Sequence, residues 1–170
     1  MIPPAKLALL TKAAVAACDA DDGLKDGLID DPRQCQFDPR ALQCPAAAAD
    51  SCLTKSEVDA ARKVYAGLRS PSTGALIYPG WLPGSEAFGE SAGQSWRQMI
   101  LDPPRPMRVE ALSYFLFQNP AWDFRSVDWD RDVAYARDRI GFLSAMDPDL
   151  RPFKASGAKV IMYSVWADPL

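Results

Sequence analysis

The chain has 170 residues, 48% hydrophobic and 24% charged, which suits one globular domain or a large piece of one. Its 19 basic and 22 acidic side chains leave a net charge of -3, unlike the clustered positive charge of a nucleic-acid or anionic-membrane surface. No apolar run reaches the ~20 residues that cross a bilayer. Histidine is absent, so no Ser-His-Asp triad, Cys-His pair or imidazole metal site can be complete within these residues.

Met1-Ile2-Pro3-Pro4 leads directly into an apolar helical run from Leu7 to Ala17, without the basic start or cleavage site of a signal peptide. Cys18, Cys35, Cys44 and Cys52 follow in the first third of the chain. An even number of cysteines among Asp, Pro and Gly predicts two disulfides and an oxidising compartment. With no Cys-x-x-Cys spacing and no histidine, a zinc site is a poor fit.

The segment Asp19-Ala20-Asp21-Asp22-Gly23-Leu24-Lys25-Asp26-Gly27-Leu28-Ile29-Asp30 packs several carboxylates into a short stretch. Carboxylates brought together repel unless a cation neutralises them, and calcium takes six to eight hard oxygens. Gly23 and Gly27 permit the positive-φ turns that wrap a loop around an ion. The spacing is not that of an EF-hand, because Leu24 stands where that loop needs glycine. Two readings remain open on these residues: a calcium loop, or a solvated cluster of Asp-Gly turns.

Thr54-Lys55-Ser56-Glu57 is a capping box, and Val58, Ala61, Tyr65 and Leu68 recur behind it at helical spacing until Ser70-Pro71. Residues 71–106 are rich in Pro, Gly and Ser and predict long ordered loops carrying Trp81, Phe88 and Trp96. Within them Gly89-Glu90-Ser91-Ala92-Gly93 matches a nucleophile elbow literally. No hydrophobic strand precedes it, so Ser91 reads as an ordinary loop serine. Met107 to Phe117 predicts a second apolar helix, closed by Asn119-Pro120. Asp130 is the expected cap of a third, with Val133, Ala136, Ile140 and Leu143 on one face. Lys159-Val160-Ile161-Met162-Tyr163 reads as a buried strand. Such a strand without visible neighbours predicts an internal portion of a longer protein. Asp168 lies just past that strand, where α/β sheets place functional groups, though a surface loop aspartate would look the same.

These segments together resemble the tannase and feruloyl esterase family, which also contains the terephthalate monoester hydrolase. The similarity runs from Ala17-Cys18-Asp19 through Asp30-Asp31-Pro32, then Cys35-Gln36-Phe37-Asp38-Pro39, Leu42-Gln43-Cys44 and Cys52-Leu53-Thr54. It continues through Pro83-Gly84-Ser85-Glu86, Asp147-Pro148-Asp149-Leu150 with Phe153, and Gly157-Ala158-Lys159 to Trp166-Ala167-Asp168-Pro169.

The resemblance implies a fragment of an α/β-hydrolase: the end of a core helix at 1–18, an α-helical and loop-rich lid over 19–152, and a core strand with the triad-acid loop at 153–170. It implies a structural calcium held by the carboxylates of Asp19, Asp22 and Asp26 and the carbonyls of Leu24 and Leu28. It pairs Cys18 with Cys35 and Cys44 with Cys52, and it makes Asp168 the triad acid. The serine and histidine of the triad would come from the part of the hydrolase core outside this chain. Where the family usually has His-Gly, this chain has Ser164-Val165, which alters the backbone ahead of Asp168.

The expectation is therefore a secreted or periplasmic serine esterase acting on small esters of aromatic acids, feruloyl or galloyl. Trp81, Phe88 and Trp96 are candidates to line a pocket for the planar acyl group, or else core aromatics of the lid. The rival expectation is a non-enzymatic, calcium-stapled extracellular module that binds a ligand through its aromatic loops.

Overall fold

A computed structural model describes residues 2–46, 49–87, 96–97, 109–144, 147–164 and 166. The chain divides into two compact units, Met1–Met107 with Trp166–Leu170, and Arg108–Val165. Among the described residues no helix is long and apolar enough to cross a membrane.

The first unit is built on two helices. α1 (Leu7–Cys18) follows a single 3-10 turn that begins at Pro4, where the missing N–H is harmless and the fixed φ suits a helix start. Leu7, Leu10, Ala14 and Cys18 recur every three or four residues and are its buried face. α2 (Lys55–Ala66) begins at the expected capping box: Glu57 N donates to Thr54 Oγ1 at 3.3 Å, and Thr54 N donates to Glu57 Oε2 at 2.7 Å. The same Glu57 oxygen accepts from Lys6 Nζ at 2.9 Å in a buried ion pair that ties the two helices together.

Between the helices lie Ile2, Leu7, Leu10, Leu53, Val58, Ala61 and Trp96, the apolar core. Trp96 is wholly buried. Its ring meets Tyr65 edge-on at 5.2 Å and Trp81 at 6.3 Å, the T-shaped geometry that aromatic quadrupoles favour.

α2 ends three residues before Ser70, at Gly67, whose φ of 72° only glycine adopts readily. A Cβ there would lie 2.4 Å from the Tyr78 carbonyl oxygen, so a larger residue would force two backbones apart. The chain then forms a small antiparallel pair, β1 (Leu68–Arg69) with β2 (Leu76–Tyr78). The helical spacing carries the expected helix through Leu68, with loops from residue 71 onward; instead the helix stops at Ala66, and Leu76-Ile77-Tyr78 is a β-branched and aromatic run too short to announce itself without its partner.

The second unit holds a wide helical turn at Ala111–Leu116, closed by an i→i+5 bond from Phe117 N to Leu112 O at 2.8 Å. α3 (Trp129–Ile140) follows. Its cap is Asp128 rather than Asp130: the Asp128 carboxylate accepts from Asp130 N at 3.1 Å and Arg131 N at 2.9 Å. Both aspartates are good caps by residue type; Asp128 takes the role because its backbone is extended while Trp129 is already helical. Phe117 stacks on Trp122 at 4.6 Å and on Tyr135 of α3 at 5.9 Å. A five-residue helix, α4 (Arg151–Ala155), completes the unit's regular structure.

The buried strand expected at Lys159–Tyr163 does not form. Those residues belong to no sheet, and Ile161 and Tyr163 are 92% and 94% exposed. A strand, unlike a helix, satisfies its backbone only against a neighbour. The β1–β2 pair is the one sheet among the described residues, and it lies far from this segment in sequence.

Candidate functional site

The acidic loop leaves the C-terminus of α1 and is clasped by the disulfide Cys18–Cys35; the second disulfide joins Cys44 to Cys52. These are the pairings that the family resemblance implied. Gly23 and Gly27 carry φ values of 91° and 85°, as a tight acidic loop requires. Asp19 Oδ1 accepts from Asp26 N at 3.1 Å and Gly27 N at 2.8 Å. Asp22 Oδ1 accepts from Leu24 N at 2.8 Å, and Asp26 Oδ1 from Leu28 N at 3.1 Å.

Each of the three carboxylates thus spends one oxygen shaping the loop. The Oδ2 oxygen of each accepts no hydrogen bond from the described residues. No three His, Cys, Asp or Glu side chains converge as a metal cluster among the described residues. The donor set is nonetheless chemically suited to a hard cation: three carboxylates and the carbonyls of exposed Leu24 and Leu28.

Immediately after the loop, Asp31 accepts from Arg33 Nε at 2.8 Å and from an Arg33 terminal nitrogen at 2.7 Å, a two-pronged pair. The Arg33 guanidinium, with help from Gln34, holds the Asp31 carboxyl well below the usual carboxylate range. That guanidinium lies 4.7 Å from the ring centroid of Trp166. Trp166 Nε1 in turn donates to the Asp30 carbonyl at 2.9 Å. The acidic loop and the Trp166 that precedes the expected triad acid therefore meet. Asp168 itself, and with it Phe88 and Ser91, lies outside the described residues.

Of the aromatic candidates, Trp81 is half-buried and Trp96 fully buried, and they pack on one another. Trp96 Nε1 donates to Ser85 Oγ at 3.3 Å. Beside them is a feature that residue-by-residue reading missed. Glu86 is completely buried and accepts from Thr11 Oγ1 at 2.9 Å, from Gly84 N at 3.1 Å and from the Tyr65 hydroxyl. Burial, then the Glu86 charge, pushes the Tyr65 phenol above its ordinary range. A buried carboxylate is tolerable when its oxygens are this well supplied with donors. The only sequence signal was Pro83-Gly84-Ser85-Glu86 as a stretch shared with the family.

With its disulfide-clasped acidic loop, this chain belongs to the tannase and feruloyl esterase family, whose sequence profile matches residues 1–170. It is 35% identical over 185 aligned residues to an uncharacterized esterase of Xanthomonas campestris, covering 99% of this chain and 31% of that protein. It is 33% identical to a probable feruloyl esterase B of Emericella nidulans, covering 95% of this chain and 30% of the relative. Among solved structures, feruloyl esterase B from Aspergillus oryzae superposes with a TM-score of 0.77 at 28% identity, over 94% of this chain and 31% of its own. The chain thus spans just under a third of the length of these relatives.

Proposed function

We propose that the chain is part of a serine esterase that hydrolyses esters of aromatic acids such as ferulate or gallate. The observation that carries this reading is the family match along all 170 residues, with relatives named as feruloyl esterases. The chain has no histidine, so the general base, and the serine it activates, would come from the remainder of the hydrolase core. Asp168 is the triad acid: it orients the histidine and stabilises its cationic form while serine attacks the ester carbonyl. Residues 19–152 serve as the lid over the substrate, with Trp81 and Phe88 as candidates to face the acyl ring. Two disulfides accord with a secreted or periplasmic protein.

The loop's remaining carboxylate oxygens, on Asp19, Asp22 and Asp26, and the Leu24 and Leu28 carbonyls would hold a structural calcium ion. Bound there, the ion offsets the repulsion of clustered carboxylates and stiffens the loop. Melting should rise in millimolar calcium relative to chelator. Asp22→Ala should erase the difference while Asp59→Ala, on the outer face of α2, should preserve it; equal melting in both conditions counts against the site.

Hydrolysis of methyl ferulate and methyl gallate tests the activity. The chain alone should be inactive, and the full-length enzyme should lose about two to four orders of magnitude in kcat on Asp168→Asn, by analogy with the Ser-His-Asp triad of serine proteases. Hydrolysis by the isolated chain that disappears on Ser91→Ala would refute this assignment.

A further inference from the structure

The acidic loop is held from outside by a tryptophan 136 positions away in sequence. Trp166 donates its Nε1–H to the Asp30 carbonyl at 2.9 Å, and the Arg33 guanidinium lies 4.7 Å from its ring centroid. That guanidinium is fixed in turn by two charge-assisted bonds to Asp31, at 2.8 and 2.7 Å. Gln34 Nε2 donates to the same carboxylate at 3.0 Å. The indole also borders a cavity of about 240 Å³, together with Gly27, Leu28, Ile29 and Pro32 of the loop and Val15 of α1. All of these residues belong to the first unit.

The two halves of the loop are supported differently. The entry half continues α1, with Asp21 N on the Cys18 carbonyl and Gly23 N on the Ala20 carbonyl, both at 3.1 Å. The exit half, from Leu28 to Arg33, continues no helix. Trp166 gives it a hydrogen bond and an aromatic face, ahead of the Cys18–Cys35 clasp. Leu28 stands two residues before the carbonyl that Trp166 holds. The indole is 50% exposed, so burial alone does not explain its place; a directed N–H and a cation over its face do.

We propose that Trp166 is a positioning residue for the cation site of the acidic loop: docked on Asp30 and Arg33, it holds the exit half in place before the ion arrives. The inference rests on the reading of the loop as a calcium site. A loop that is already ordered has less conformational freedom to lose on binding, so docking raises its affinity for the ion. By linkage the ion must tighten the docking of the indole by the same factor. Trp166 is neutral, so its removal alters calcium affinity through the geometry of the loop and not through its charge.

The test is calorimetric titration of the full-length enzyme with calcium. Trp166→Leu should weaken binding by about 5- to 20-fold, within the usual span of such couplings. Trp166→Phe keeps a ring for Arg33 and loses only the N–H, so it should weaken binding less; it carries the test where Trp166→Leu folds poorly. Trp129→Phe, on α3 of the second unit, should leave affinity unchanged. The second readout is the indole itself, with tryptophan labelled by nitrogen-15 and the Trp166 resonance identified by its loss in Trp166→Phe. Its Nε1–H should exchange with solvent more slowly in calcium than in chelator, by the factor that Trp166→Leu costs in affinity.

Calcium binding of wild-type strength in both Trp166 variants overturns the coupling and leaves the calcium site standing. So does an equal loss in Trp129→Phe, or an indole exchange rate that calcium does not change. A wild-type enzyme that binds no calcium overturns the site first and the role of Trp166 with it.

Discussion

The core of the first unit and the segment at Lys159–Tyr163 are about equally apolar in sequence, and the structure treats them in opposite ways. Ile2, Leu10 and Trp96 are buried, whereas Ile161 and Tyr163 stand almost fully in solvent. The helices α1 and α2 complete their own backbone hydrogen bonds, so each needs only one apolar face covered, and the other helix with Trp96 covers it. The terminal run is β-branched, and its backbone groups must be paired by another strand. Apolar composition says that a segment wants burial; it does not supply the partner.

Four perturbations sharpen that contrast. The largest effect belongs to Trp96→Ala. Emptying a fully buried indole site should destabilise the first unit by about 3–5 kcal/mol, read from denaturant unfolding. A loss below about 1 kcal/mol would mean the aromatic cluster is not the centre of the core.

Next comes the clasp. Replacing Cys18 and Cys35 together by serine opens a loop closed over 17 residues, and the chain-entropy account assigns about 3 kcal/mol to it. Opening Cys44–Cys52, 8 residues apart, should be slightly milder. Equal stability of the oxidised chain and the Cys18/Cys35 double variant would show that the packing of α1 alone holds the loop.

A third, smaller effect concerns Glu57. Burial pushes its carboxyl up, but the Lys6 ammonium and the Thr54 N–H and hydroxyl outweigh that and hold it below the ordinary 4.5. A carboxyl lowered by folding contributes stability that is present above its unfolded value and lost as pH falls through its folded value. Wild type should therefore exceed Glu57→Gln in stability at neutral pH, and the gap should close as pH drops below about 4.5. A gap that stays constant from neutral to about pH 3 would remove the ion pair from the account.

The smallest effect should come from Ile161→Asp in this chain, within about 0.5 kcal/mol, as expected of an exposed position. In full-length protein the same change should be severe if the segment is there paired and buried, because a charge would enter an apolar sheet. A small effect in both would dispose of the core-strand expectation altogether.

Much of the framework was legible in local chemistry. α1 follows from its apolar spacing, and the Thr54–Glu57 box from four adjacent residues. An even set of cysteines in an Asp- and Gly-rich stretch announced disulfides, and the family resemblance implied their pairing. Local reading failed where two candidates of equal type stood close together, as with Asp128 and Asp130. It failed also at Gly67, where α2 stops because the chain must turn against the Tyr78 backbone.

For the candidate site the division is similar. The cluster of aspartates, the two glycines that permit positive φ and the place of Asp168 in the chain are sequence facts, readable because each depends on residue type and short spacing. Sequence had no means of showing that Trp166 meets Asp30 and Arg33, or that Glu86 meets Thr11 and Tyr65. Those contacts join residues between 21 and 136 positions apart. They exist because the packing of α1, its clasped loop and α2 brings these residues together. Helix starts, turns and cysteine content are determined by neighbours along the chain. Which donor reaches a buried carboxylate, and which carbonyl receives an indole, is decided by neighbours in space.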